Sequence, residues 1–327
     1  MKKTPRWVLI CPRNPEVNHF PTTEEWVFCQ MGEPKLMVNV VGCGRAARTL
    51  LRHWAKADLV QVAGVCNRSL VSAQEAVSFI GQGRAVEKFA DLAPADLLLI
   101  GVPDREIAAV TQKLAAAGVI TSGMIVFHLS GALPSDVLEP ARTLGAVVAS
   151  LHPVLSFADP ARAADSLPGC WCTVEGDPPA RHVLCKLMEA TGVRVLLLEG
   201  SQKTLYHAAL VMLCNYLVVL VQSGLEILAS AGITRDTAVP LIRPLVEETL
   251  RNCWQLGTSA ALTGPIARGD TPIVEAELAA LQLCSLELTE LYRHLGRLAL
   301  RLARSQGQLS QNQIDELARV LAARSSS

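Results

Sequence analysis

From residue 36 onward, short unbroken apolar runs alternate with stretches whose apolar residues recur every three or four positions. The runs at 36–41, 59–66, 96–102, 124–129 and 146–151 read as strands, with a brief one at 85–88. The periodic stretches at 46–57, 72–80 and 105–117 read as helices between them. Strands at 171–175 and 193–198 flank a helix that ends at residue 190. Strands joined by helical crossovers imply a mostly parallel sheet covered on its faces, an α/β arrangement. Beyond residue 200 the strand signals stop, and 201–231, 234–256, 271–283, 286–305 and 311–323 read as helices. The expected organisation is an α/β domain over 36–199 and an all-helical domain over 200–323. Residues 1–35, with Pro5, Pro12, Pro15, Pro21 and Pro34 and no sustained period, read as an N-terminal extension.

The 327 residues suffice for two cores, and 50% of them are hydrophobic. Thirty basic residues balance thirty acidic ones. No basic excess is left to neutralise phosphates, so neither nucleic acid nor an anionic membrane is an expected partner. Cys43, Cys66, Cys185, Cys214 and Cys284 sit inside apolar runs, where cysteine acts as a small hydrophobe. Cys170 and Cys172 flank Trp171 and should point to opposite faces of a strand. No Cys-x-x-Cys pair appears, so no metal site is expected, and a reducing, cytoplasmic location fits. Only five apolar residues precede Pro12, too few for a secretory signal. The longest apolar run, 208–221, is shorter than a bilayer span, so no membrane segment is expected.

Chemistry enters at residues 42–47, Gly-Cys-Gly-Arg-Ala-Ala, a G-x-G-x-x-A pattern between a strand and a helix. Gly42 permits the tight turn, Gly44 lets backbone approach a pyrophosphate, and the small Ala47 lets helix and strand pack closely. Arg45 and Ala46 open the helix, whose N-terminus supplies N–H donors. Without a ligand the pattern would be a structural turn. In context it predicts a Rossmann-type dinucleotide site. A site for NAD usually has an acid after the second strand. Here that place holds Asn67, Arg68 and Ser69, which suits the 2′-phosphate of NADP, with Asn67 at the ribose. Val102 and Pro103, after the 96–102 strand, are expected to line the cleft, with Asp104 capping the next helix.

Ligands of open α/β sheets bind beyond the carboxyl ends of the strands. Ser130 and Gly131 follow one such strand and could hold a carboxylate. His152, after the next, is either a general acid or a histidine that bonds turn backbone. Lys203 and His207 are four residues apart on one helix face, either an acid pair or a solvated helix start. Asn215 lies too far along that helix to share a substrate atom with Lys203. Arg268, after the Gly264-Pro265 turn, is either an anion clamp or part of an interhelical turn. Thr271 is expected to cap the helix that follows.

At residues 128–132, 151–153, 203–216 and 262–270 the chain resembles a bacterial family of predicted NADP oxidoreductases. Its members join a Rossmann-like domain to a helical C-terminal domain of unknown function, and the resemblance covers residues 36–323. More broadly it resembles the superfamily of ketopantoate reductase, pyrroline-carboxylate reductase, prephenate dehydrogenase and β-hydroxyacid dehydrogenases. The resemblance implies NADP, reductase chemistry and a helical domain that builds a dimer. Two departures stand out. β-Hydroxyacid dehydrogenases pair their catalytic lysine with an asparagine four residues on, where this chain has His207. His152-Pro153 echoes a His-Pro motif of prephenate dehydrogenases without their other substrate residues.

These readings converge on a homodimeric NADP(H)-dependent oxidoreductase acting on a small keto or imino acid. Ser130 and Arg268 would hold the carboxylate, and His152, Lys203 or His207 would supply the proton. The helix start carrying Lys203 is expected at a carboxyl strand end, because strand 193–198 leads directly into it. The alternative is an NADP-binding sensor or scaffold without turnover. It has no need of His152, Lys203 and His207 brought together.

Overall fold

A computed structural model of the protein describes residues 35–322, together with the backbone of Trp7–Leu9 (β1) and Phe28–Gln30 (β2). Those two short strands pair antiparallel. The reading of residues 1–35 as an extension falls almost wholly outside the described residues. The structure divides after Leu210 into two compact units.

The α/β alternation forms as the apolar periods require. The strands of the first unit are β3 (Leu36–Val41), β4 (Val60–Cys66), β5 (Arg84–Val86), β6 (Leu97–Ile100), β7 (Ile125–His128), β8 (Val147–Pro153), β9 (Trp171–Gly176) and β10 (Arg194–Leu197). Its helices are α1 (Arg45–Lys56), α2 (Leu70–Ile80), α3 (Ile107–Ala116), α4 (Glu139–Arg142), α5 (Pro160–Ser166), α6 (Pro178–Glu189) and α7 (Lys203–Leu210). Helix α5 was not expected from the periodicity. It is only two turns long, but Asp159 caps it by accepting from the N–H groups of Ala161 and Arg162, and Pro160 fills its first position.

The sheet runs β10-β9-β8-β7-β6-β3-β4-β5. From β3 the chain winds outward through β4 and β5, then crosses back to β6. The topological switch point, where such sheets bind ligands, therefore lies between β3 and β6. Strands β3 to β8 are parallel, whereas β9 pairs antiparallel with β8 and β10 pairs parallel with β9. The carboxyl end of β10 is thus turned away from that of β8. A short turn, Gly200–Gln202, leads from the end of β10 into α7, whose start is at a carboxyl strand end as its sequence implies.

Alternate residues of each strand serve separate cores. Val38, Val40, Leu97, Leu99 and Phe127 pack with Leu50, Leu51 and Trp54 of α1. Trp54 is fully buried, with its ring 6.2 Å from that of Phe127. Leu98, Ile100, Val126 and Val148 meet Ile107 and Leu114 of α3 on the other face. At about 25 cal/mol per Å² of apolar surface, each buried Leu or Phe side chain is worth roughly 1.5–3 kcal/mol.

The second unit is helical: α8 (Tyr216–Ser230), α9 (Arg235–Gln255), α10 (Thr258–Ala261), α11 (Pro265–Arg268), α12 (Thr271–Cys284), α13 (Leu286–Gln306) and α14 (Gln311–Ala322). A π-helical turn, Val211–Asn215, precedes α8. Ile266, Val274, Leu278, Leu300, Leu317 and Leu321 form its core. Arg293 and Arg297 of α13 donate to the carbonyls of Val320 and Leu321, which the end of α14 leaves without intrahelical partners. The expected Thr271 cap is not formed. Asp270 holds the cap position without a side-chain bond, and Thr271 is already helical.

The helix Gly200–Ser230 is long and apolar enough to cross a membrane, its most apolar window reaching a mean hydropathy of 1.9. Reading only the run 208–221, which already contains Asn215, understated it, because Gln222 ends the run without ending the helix. Leu205, Met212, Leu213, Val218 and Val219 are each more than half exposed.

Candidate functional site

The glycine turn sits at the switch point. Gly42 has φ +81°, and a Cβ there would lie 2.5 Å from Val102 Cγ1 and 2.7 Å from the Val102 nitrogen. Gly101 is its counterpart, since a Cβ on Gly101 would come within 2.5 Å of the Gly42 carbonyl oxygen and 3.0 Å of the Ala47 Cβ. The ends of β3 and β6 can touch only because neither residue has a side chain. Gly44 caps α1 and has nothing closer than 3.9 Å where its Cβ would be, which leaves space over the first turn of that helix. Ala47 is buried, Ala46 half-buried and Arg45 exposed. Val102 is half-buried and Pro103 exposed beside the turn.

Past β4, Asn67 has a different task from the one expected of it. Its Oδ1 accepts from the Cys43 N–H at 2.6 Å and its Nδ2 donates to Ser72 Oγ at 3.1 Å, so it braces the glycine turn. Ser69 Oγ caps α2 by accepting from the Ser72 N–H, which leaves its own hydrogen to donate. Arg68 is exposed. A side-chain-free turn and an open helix N-terminus fit a dinucleotide's pyrophosphate.

Further along the same sheet edge, the face lined by Val126 and Val148 turns polar. His128, Ser150 and Glu175 stand in one row across β7, β8 and β9, and all three are buried. His152 faces Thr173 in the next row. Buried polar groups need partners, and the row of His128, Ser150 and Glu175 has them. Glu175 accepts from the Ser135 N–H and hydroxyl at 2.7 and 2.8 Å. His128 Nδ1 accepts from the Ser130 N–H at 3.1 Å, and its Nε2 lies 3.2 Å from the Pro134 carbonyl. Burial lowers the His128 pKa to about 4.

Lys203 closes this layer from α7. Its Nζ donates to the Ser130 carbonyl at 2.9 Å and to Ser150 Oγ at 2.5 Å, and the residue is 1% exposed. Burial lowers its pKa to about 8 against the opposing fields of Glu175 and Asp104. Burial is therefore the cause of the shift. One turn along α7, His207 packs against Gly131. A Cβ on Gly131 would lie 2.8 Å from His207 Nδ1 and 2.9 Å from His152 Nε2. The two imidazoles stand edge to face, 6.0 Å apart. Burial, then the nearby Lys203 and His207, lower the His152 pKa to about 4.

The first unit thus brings together Ser130, His152, Lys203 and His207. Ser130 is less free than its position suggested. Its hydroxyl donates to Asp104 Oδ2 at 2.7 Å and accepts from the N–H groups of Ala132 and Leu133. Asp104, expected as a helix cap, instead ties the end of β6 to the end of β7. Arg268 belongs to the second unit, where it is exposed beside an open cavity of about 810 Å³ that Thr258, Thr263 and Gln306 also line. Asn215 is exposed in the π-helical turn. Gly101, Glu175 and Tyr206 were missed. Gly101 alone left a legible signal, a glycine ending an apolar strand. Among the described residues no cluster of three or more metal-ligating side chains occurs.

A mostly parallel sheet wound both ways from a glycine turn, with a helical C-terminal part, defines a Rossmann-type protein. Residues 21–153 match the Rossmann-like domain and residues 170–299 match DUF2520, a domain of unknown function. The chain joins those two domains. No curated protein matches it. A Bacteroides fragilis protein named as an NADP oxidoreductase has a similar structure at 21% identity, with TM-score 0.69, covering 82% of this chain and 98% of its own. A Thermotoga maritima protein is similar at 24% identity and TM-score 0.63, covering 83% and 99%. The reductive aminase of Aspergillus terreus, solved with NADPH and ethyl levulinate, is similar at 17% identity and TM-score 0.55, covering 88% and 93%. At these identities the likeness is one of fold.

Proposed function

We propose that the protein is a cytoplasmic, homodimeric oxidoreductase that uses NADP(H) to reduce a small keto or imino acid. One observation carries the reading: imidazoles of His152 and His207 converge on Gly131 along the same sheet edge as the glycine turn. Bound NADPH would supply a hydride. The first turn of α1 and Gly44 would hold its pyrophosphate, and Arg68 with Ser69 would pair with the 2′-phosphate. The names of the Bacteroides and Aspergillus proteins support this cofactor and this class of reaction.

Within the polar cluster the roles divide by exposure. Lys203 is enclosed and holds the Ser130–Gly131 turn against β8. His152 and His207, both half-buried, are the groups able to meet a carbonyl or imine. The dimer is proposed from the exposed apolar residues of Gly200–Ser230, because a helix apolar on most sides needs cover.

The test is fluorescence titration with NADPH and NADH, followed by a turnover screen of pooled keto and imino acids. NADPH should bind at least about tenfold tighter, a difference of about 1.4 kcal/mol, and Arg68→Ala should remove most of that preference. Equal affinities would refute the cofactor assignment. NADPH binding with no turnover of any pool would favour a sensor.

A further inference from the structure

A neutral imidazole is a donor at one nitrogen and an acceptor at the other, so a histidine's use depends on which nitrogen holds the hydrogen. His152 is neutral near pH 7. With hydrogen on Nε2 it polarises a carbonyl or imine; with hydrogen on Nδ1 it presents a bare lone pair, which serves a base. Its Nδ1 lies 3.1 Å from the Tyr206 hydroxyl, and the two rings meet edge to face at 84° with centroids 5.9 Å apart.

We propose that Tyr206 is a positioning residue that donates its phenolic hydrogen to His152 Nδ1 and so fixes the imidazole as an Nε2–H donor toward the substrate. The proposal rests on the reductase reading of this site. Two arguments support that direction of donation across the 3.1 Å contact. A phenol is a stronger acid than a neutral imidazole N–H, and an imidazole nitrogen is a stronger base than a phenol oxygen, so the phenol donates. Burial raises the Tyr206 pKa, which keeps its hydrogen in place at neutral pH.

The arrangement is held from both sides. Tyr206 lies on α7, whose first residue, Lys203, is anchored to Ser130 and Ser150. His152 Nε2 faces Gly131, the residue both imidazoles pack against. Tyr206 therefore sets which edge of His152 carries hydrogen without itself facing the substrate.

The experiment reads the tautomer directly. Long-range proton–nitrogen correlation spectra of the ¹⁵N-labelled full chain at pH 7, with His152→Gln for assignment, should show His152 with a bare Nδ1 and a protonated Nε2. Tyr206→Phe should lose that single tautomer, its Nδ1 signal moving toward the protonated position. A wild-type Nδ1–H tautomer, or an unchanged His152 signal in Tyr206→Phe, overturns the proposal. Should Tyr206→Phe not fold, fluorotyrosine incorporation replaces it: a more acidic phenol should shift the Nδ1 signal further, and no shift overturns the proposal. These spectra need no substrate. A correct tautomer in a protein that reduces nothing would sink the reductase reading alone.

Discussion

Replacing Lys203 with methionine is expected to stabilise the protein slightly at neutral pH and to destabilise it in alkali. The ammonium is enclosed, and burial outweighs the attraction of Glu175 and Asp104, lowering its pKa from 10.5 to about 8. At 1.36 kcal/mol per pKa unit, keeping Lys203 protonated costs the native state on the order of 3 kcal/mol. The unfolded chain holds this proton up to about pH 10.5, whereas the native state releases it near pH 8. Between those values the unfolded state binds more protons, so stability rises with pH. Below pH 8 the cost is fully present, and above 10.5 it is gone.

Methionine removes that cost together with two hydrogen bonds, worth about 1 kcal/mol each. The Ser130 carbonyl keeps a donor, because Ser150 Oγ lies 3.2 Å from it. The variant should therefore gain roughly 1 kcal/mol at pH 7 and lose about 2 kcal/mol beyond pH 10.5. Urea unfolding of both proteins at fixed concentration, from pH 7 to 11, measures the difference. A pH-independent difference would refute the reasoning. So would a loss above about 3 kcal/mol at pH 7, the mark of a broken buried ion pair whose attraction had dominated.

Gly131→Ala should press a methyl group against His207 and His152, costing about 1–3 kcal/mol of stability and perturbing both imidazoles in nitrogen-resolved spectra while NADPH still binds. Gly42→Ala, at φ +81° and against Val102, should abolish NADPH binding and lower the melting temperature; retained affinity would deny the turn its role. His128, buried with its pKa lowered to about 4, should make the fold acid-sensitive. The unfolded histidine takes its proton first, so stability falls as pH drops from about 6.5 toward 4, and His128→Asn should flatten that slope in acid titrations. Light scattering at micromolar concentration should find a dimer, and Val218→Glu should shift it toward monomer; a wild-type monomer would refute the assembly.

What the sequence made legible follows from how local each signal is. The Gly42–Ala47 turn could be read because its backbone demands are met within six residues. Lys203 and His207 could be paired because helical spacing puts them on one face. The function of Lys203 could not, since its enclosure depends on Ser130 and Ser150, which lie far away along the chain. Glu175 and Thr173 join the site only because β9 runs antiparallel to β8, a pairing no local period encodes. Asn67 and Asp104 were found, but their partners, Cys43 and Ser130, sit in the turns that follow other strands.

The polar rows at the ends of β7, β8 and β9 bear also on how the chain finds its fold. Side chains alternate between faces, so sliding β8 by one residue would turn Ser150 and His152 toward the core around Trp54 and Phe127. Unpartnered polar groups there would cost several kcal/mol. Ala149 and Leu151 would be moved into their places, beside His128 and Glu175. Misaligned sheets are thus penalised most heavily where alignment matters most to the imidazoles. The residues proposed to handle the substrate act, during folding, as a check on strand register before any substrate is met.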